Sequence, residues 1–157
     1  MNLCVIVIAQ YLIIAIGLIS ITAIILSERT VRNDMIRLAV LSFAVAFLVA
    51  FVAGACYYSD RPFIIENITP LVPHQPDNGF PSHHTLAGVV AAAVIFIYRR
   101  RLGVLLLVLG LLVGAARIMA GLHYPLDIAS SIIIAIVAVF CAWLVLKKVG
   151  RRFGHSL

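Results

Sequence analysis

The chain has 157 residues, of which 64% are hydrophobic and 11% charged, and its mean hydropathy is +1.15. Soluble globular domains carry about a quarter charged residues and about half apolar ones, so that class is excluded. The net charge of +6 is not read as a nucleic-acid signature, because the basic residues stand at the ends of apolar stretches, where they set membrane orientation.

Five apolar stretches cover 3–26, 38–58, 82–98, 102–120 and 124–146, each near the ~20 residues that cross a ~30 Å hydrocarbon layer. They are continuously apolar, unlike the short alternating strands of a membrane barrel. The expected fold is all-α, a polytopic membrane helical bundle of about five transmembrane helices. We read 1–157 as a single membrane-embedded domain whose motif-bearing part is 59–130.

The first stretch lacks a basic leading region and a small-residue cleavage site, and reads as a retained span. Arg29, Arg32 and Arg37 follow it; Arg99, Arg100 and Arg101 follow the third stretch; Lys147, Lys148, Arg151 and Arg152 follow the fifth. These alternate connections lie on one side and hold ten of the twelve basic residues. The opposite side has Arg61 and Arg117 against Asp60, Glu66, Asp77 and Asp127. The positive-inside rule then places the N-terminus outside and the C-terminus in the cytoplasm. Cys4, Cys56 and Cys141 show no metal-ligand spacing and read as small packing residues, with a Cys4–Cys56 bridge as the alternative.

The connection 59–81 holds Pro62, Pro70, Pro73, Pro76 and Gly79, so it is no single regular element. Phe63, Ile64, Ile65, Leu71 and Val72 make it apolar enough to lie in the interface and roof the bundle. In the third stretch, Pro81 and Ser82 mark a helix start with Ser82 as N-cap. That leaves the amides of His83, His84 and Thr85 at a positive dipole end, which suits an anion. Gly88, Ala91 and Ala92 in the third stretch, and Gly110, Gly114, Ala116 and Ala120 in the fourth, permit close approach of these two helices.

Arg117, near the outer end of the fourth stretch, either snorkels to the headgroups or faces inward. If inward, it forms with Arg61 a clamp for a multiply charged anion, since guanidinium matches phosphate oxygens. His123 and Asp127 are four residues apart. They share a face if the last helix starts near His123, and the carboxylate then holds one imidazole nitrogen as N–H while the other keeps its lone pair. A metal-dependent hydrolase built on His74, His83, His84 and Asp77 is the competing reading, and adjacent histidines rarely face one ion. A channel is disfavoured because the charges gather at one face rather than at the midplane. His155 in the tail reads as solvated.

The run Arg61-Pro62, Pro81-Ser82-His83-His84, and Arg117 followed by His123 and Asp127 resembles the type 2 phosphatidic acid phosphatase (PAP2) superfamily. The segments RPF (61–63), TPLVPH (69–74), DNGFPS (77–82) and GLHYPLD (121–127) are similar to its bacitracin-resistance type of undecaprenyl-diphosphate phosphatase. The chain departs from the wider family at Gly54, where that family has Lys, at Ala116, usually Ser, and at His83, usually Gly or Asp.

The resemblance implies a bacterial cytoplasmic (inner) membrane enzyme with its active site at the outer face, turning undecaprenyl diphosphate into the monophosphate. Phosphatidic acid, phosphatidylglycerophosphate or a lipid A phosphate are the alternative substrates. It implies catalytic His123 as nucleophile, Asp127 as its orienting acid and His84 as proton donor. Arg61, Arg117, Ser82 and His83 would bind phosphate. It implies no metal and no cofactor, a polyprenyl or glycerolipid phosphate and membrane lipids as partners, no nucleic acid, and leaves the oligomer open.

Overall fold

The computed structural model describes residues 2–152, so the reading of His155 falls outside the described residues. Six helices follow in chain order: α1 (Asn2–Ile25), α2 (Arg29–Cys56), α3 (Pro62–Ile65), α4 (His83–Tyr98), α5 (Arg100–Met119) and α6 (Pro125–Arg152). Four of them, α1, α2, α5 and α6, are long and apolar enough to cross a membrane, and α4 is a shorter apolar helix of 16 residues. At 1.5 Å per residue α4 reaches about 24 Å. The four candidate spans and the shorter apolar α4 correspond to the five expected stretches.

Helix α4 is the centre of the bundle, packed against α5, α6, α2 and α1. Its sequence HHTLAGVVAAAVIFIY is apolar on all sides after the first turn, as a helix surrounded by helices must be. Leu86, Val89, Val90, Val94 and Ile95 are fully or almost fully buried. Small residues set the spacing. A methyl group at Gly88 would lie 3.5 Å from the Gly110 Cα, so α4 and α5 cross where neither has a side chain. At Gly114 it would meet Ile128 of α6 and Thr85 of α4. Ala116 and Ala120 instead pack with Val5 and Ala9 of α1 and Val72 of the loop.

The structure corrects four boundaries or placements. Helix α2 starts at Arg29 rather than Leu38, because its charged first turns lie beyond the apolar layer and hydropathy does not see them. The last helix runs on to Arg152 for the same reason. It also begins at Pro125, so His123 stands outside it in the preceding turn. The three cysteines are free and exposed on the helix surfaces rather than packed inside.

The connections sort into two ends. At one, Arg99 donates from Nη2 to Ser27 Oγ at 3.0 Å, joining the α4–α5 and α1–α2 corners where the basic residues collect. At the other lie the end of α2, α3, the loop to α4, the start of α4, the α5–α6 turn and the start of α6. The long connection covers that end, with the Leu71 amide bonded to the Ala120 carbonyl.

Candidate active site

Three of the conspicuous polar residues converge at the covered end and are almost wholly buried there: Arg61, His123 and Asp127, with Arg117 buried nearby. Each is delivered by a chain break that its sequence explains. Arg61 is the N-cap of α3, set by Pro62 at the first helical position. Pro125 starts α6 in the same way, and Asp127 at its third position reaches back with Oδ2 to the Tyr124 amide at 2.8 Å. This is half of a capping box.

Arg61 is the hub. Its Nε donates to Asp77 Oδ1, its Nη1 donates to the Leu122 carbonyl at 2.9 Å and approaches His123 Nε2 at 3.4 Å, and its Nη2 reaches the Asn78 carbonyl at 3.5 Å. Arg117 faces inward rather than snorkelling. Its Nη1 donates to the Ala9 carbonyl of α1 at 3.3 Å, and its Nε has no partner among the described residues. A buried guanidinium with a free donor beside a second arginine is an arrangement that an anion would complete.

The His123 geometry differs from the expected pairing. Nδ1 lies 2.8 Å from the Gly79 carbonyl oxygen, whereas the nearer Asp127 oxygen is 3.6 Å away. The carbonyl can only accept, so Nδ1 carries the proton and Nε2 keeps the lone pair. Asp127 spends Oδ2 on the Tyr124 amide, and its Oδ1 is buried without a partner among the described residues. The reason is the α6 boundary: with His123 outside the helix, the four-residue spacing no longer puts both side chains on one helical face. Burial pushes the imidazole below its ordinary value of 6.5. The Asp127 contact opposes this shift, and the nearby Arg117 and Arg61 charges add to it.

Ser82 is the N-cap of α4 and is fully buried, but its hydroxyl caps no amide; it accepts from Thr85 Oγ1 at 3.2 Å. Leu86 is the first residue of α4 whose amide bonds back, to the Ser82 carbonyl. The Ser131 hydroxyl shares its one proton between that carbonyl, at 3.0 Å, and the Asp127 main-chain carbonyl, at 2.7 Å, to which the Ser82 amide also donates at 3.4 Å. Helix starts α4 and α6 are thus stitched together. His84 is half-buried and close enough to Arg117 and His123 to sense their charge. His83 is not brought into this network: it is exposed, its ring stacked on Phe47 of α2 at 5.8 Å. His74 bonds the Gln75 carbonyl and lies 3.6 Å from Asp77. Among the described residues no three His, Cys, Asp or Glu side chains are grouped to hold one metal ion.

A cavity of about 400 Å³ opens beside His123, walled by Pro62, Glu66, Thr69, Met119 and Tyr124 among others. Its lining includes Glu66 and neither arginine, so the anion-seeking groups lie on another flank of His123. Sequence reasoning weighed Asp77 only as a metal ligand, not as the partner of Arg61, and missed Asn78 and the carbonyls of Gly79 and Leu122. The DNGF segment was visible as a motif, but a main-chain acceptor has no residue-type signal.

Fold and site together define a multi-pass helical membrane protein with two buried arginines and a tautomer-fixed histidine at one end of its bundle. Residues 35–151 match the PAP2 superfamily, and the chain belongs to it. It is 36% identical over 118 residues to the Bacillus licheniformis bacitracin transport permease protein BcrC, a match covering 73% of this chain and 58% of that protein. It is 33% identical over 134 residues to the Bacillus subtilis undecaprenyl-diphosphatase BcrC, covering 85% and 68%. The chain thus spans less than two thirds of the first relative's length. Its fold is similar to that of the Aquifex aeolicus LpxE crystal structure, with a TM-score of 0.70 at 21% identity, covering 88% of this chain and 80% of that one.

Proposed function

We propose that the protein is a membrane lipid phosphatase that hydrolyses undecaprenyl diphosphate to undecaprenyl phosphate through a phosphohistidine, with residues 1–157 acting as one membrane-embedded unit. The observation that carries this reading is the buried His123 with its Nδ1 proton given to Gly79 and its Nε2 directed at Arg61. An imidazole so held has its lone pair on the nitrogen that meets a cation, where a phosphoryl oxygen would bind.

In this scheme His123 Nε2 attacks the terminal phosphorus and the P–O bond to the leaving group breaks. Asp127 stabilises the imidazolium that develops. His84 gives a proton to the leaving oxygen and then takes one from the water that attacks the P–N bond, releasing inorganic phosphate. Arg61 and Arg117, with the α4 start at Ser82, hold the phosphoryl oxygens on which charge accumulates. His83 stands at the rim, where it would meet phosphate only on the approach. No metal or cofactor enters the scheme.

Relatives named for undecaprenyl diphosphate hydrolysis support this substrate over other lipid phosphates. The concentration of basic residues at the opposite end supports a site at the outer face of the bacterial inner membrane, with the N-terminus outside and the C-terminus in the cytoplasm. The test is turnover of purified protein on undecaprenyl diphosphate, phosphatidic acid and phosphatidylglycerophosphate in detergent containing a chelator. We expect release of phosphate, fastest from the diphosphate. Preference for a glycerolipid would reassign the substrate, loss of turnover restored by a divalent cation would reinstate a metal enzyme, and no turnover on any of them would overturn the reading.

A further inference from the structure

Asn78 has no part in the proposed phosphoryl transfer, yet its side chain uses both ends of its amide twice over. Nδ2 donates to the carbonyls of Gly54 at 2.9 Å and Tyr57 at 3.0 Å, and Oδ1 accepts the amides of Ser59 at 3.0 Å and Phe80 at 2.9 Å. Gly54 is in the last turn of α2 and Tyr57 is its C-cap, where carbonyls lack intrahelical partners. One side chain therefore closes the end of α2 and ties both limbs of the loop to it.

The neighbouring residue is the one that touches the reacting group. The Gly79 amide donates to the Ser59 carbonyl at 2.8 Å, and its own carbonyl meets His123 Nδ1. Gly54 completes the fit from the other side. A methyl group there would lie 3.0 Å from the Phe80 carbonyl oxygen, closer than such contacts normally come. The loop reaches its place on α2 because that residue is glycine.

We infer that Asn78 is a positioning residue for the nucleophile: it holds the Gly79 carbonyl against His123 Nδ1 and so keeps Nε2 unprotonated. The inference rests on His123 as the attacking group. A neutral imidazole has one N–H, and an acceptor fixed at Nδ1 selects the tautomer with the lone pair at Nε2. If that carbonyl moves, only the long 3.4 Å contact from Arg61 Nη1 still disfavours Nε2–H, which becomes partly populated, and an Nε2 that carries a proton cannot bond phosphorus. Asp127, at 3.6 Å and already bonded to Tyr124, does not replace it.

The experiment is nitrogen NMR of histidine-labelled protein in detergent, with the His123 signals identified by their loss in His123→Gln, alongside steady-state kinetics on undecaprenyl diphosphate. Wild type should show the Nδ1–H tautomer. Asn78→Ala should show a tautomer mixture and a kcat lower by about 10- to 100-fold, the range seen when the hydrogen-bond partners that orient metal-ligating histidines are removed, with KM little changed. Asn78→Asp keeps the shape and turns a carboxylate toward two carbonyls, so it should behave like the alanine variant. Gly54→Ala removes no hydrogen-bonding group and should shift both readouts the same way, and it carries the test if Asn78→Ala does not fold. An Nε2–H tautomer in wild type, or wild-type tautomer and kcat in the folded variants, would overturn the inference. A lowered kcat with an unchanged tautomer would make Asn78 a structural residue only. If no lipid phosphate is turned over by wild type, the phosphatase reading fails while the tautomer measurement still decides the role of Asn78.

Discussion

The Gly79 carbonyl oxygen lies 2.8 Å from His123 Nδ1, closer than the Asp127 carboxylate, whose Oδ2 stands 3.6 Å from the same nitrogen. A methyl group on Gly79 would lie 3.5 Å from Asp127 Oδ2 and 3.4 Å from the Arg61 side chain, so the backbone threads between the charged groups. The carbonyl orients the ring, and the carboxylate acts on it through space.

This arrangement predicts a pH profile. Burial lowers the His123 pKa below 6.5, so the ring stays neutral and able to attack at pH values where a free histidine is protonated. The acid limb of kcat/KM, which reports the free enzyme, should fall below pH 6.5. Asp127 raises this pKa, so in Asp127→Asn the limb should move further toward acid. A limb above 6.5 in wild type would show that another group controls it.

Arg117→Lys keeps the charge but loses the planar fork and the Nε donor that has no partner among the described residues. Turnover should fall by about 10²- to 10³-fold, as when one preorganised donor to a developing anion is lost, while the protein still purifies as a folded species. Near-normal kcat would make Arg117 a tether to α1 through the Ala9 carbonyl.

The two histidines should separate by substrate. His123→Ala should abolish turnover on every lipid phosphate, and label from the terminal phosphate should no longer be trapped on the protein in an acid-avoiding quench. His84→Ala should damage an alkyl phosphate monoester more than a polyprenyl diphosphate, whose phosphate leaving group needs less protonation. Equal damage to both would mean that His84 binds phosphate instead of moving a proton.

Orientation is accessible to labelling once Cys4, Cys56 and Cys141, all exposed, are replaced by alanine. In that background Gln75→Cys should react with an impermeant thiol reagent outside intact cells, and Glu28→Cys should not. The reverse pattern would place the site in the cytoplasm.

Packing at the α4–α5–α6 junction is tested by Gly114→Ala, whose methyl would come 2.7 Å from Ile128 and 3.2 Å from Thr85 Oγ1. Overpacking of this kind costs about 1–3 kcal/mol, read as a lower Tm in detergent. Gly17→Ala, where a methyl meets nothing within 4 Å, should leave Tm unchanged or slightly raised.

Hydropathy by itself determined the class of fold and the five apolar segments, because apolar length against the bilayer is a local property of the chain. The charge asymmetry and the Arg-Pro, Pro-Ser and His-Asp segments likewise pointed to one end of the bundle before any coordinates. Tertiary structure decided what those residues touch. Charged turns beyond the bilayer left the starts and ends of α2 and α6 open, and the start of α6 at Pro125 broke the helical His123–Asp127 pairing. His83 and His84 are neighbours in sequence, yet a helix turns about 100° per residue, so one stacks on Phe47 while the other is half-buried near Arg117. The partners of Arg61, Arg117 and His123 are largely main-chain carbonyls, of Leu122, Asn78, Ala9 and Gly79. Every residue owns such a carbonyl, so only the folded path of the chain determines which one meets a buried cation or imidazole.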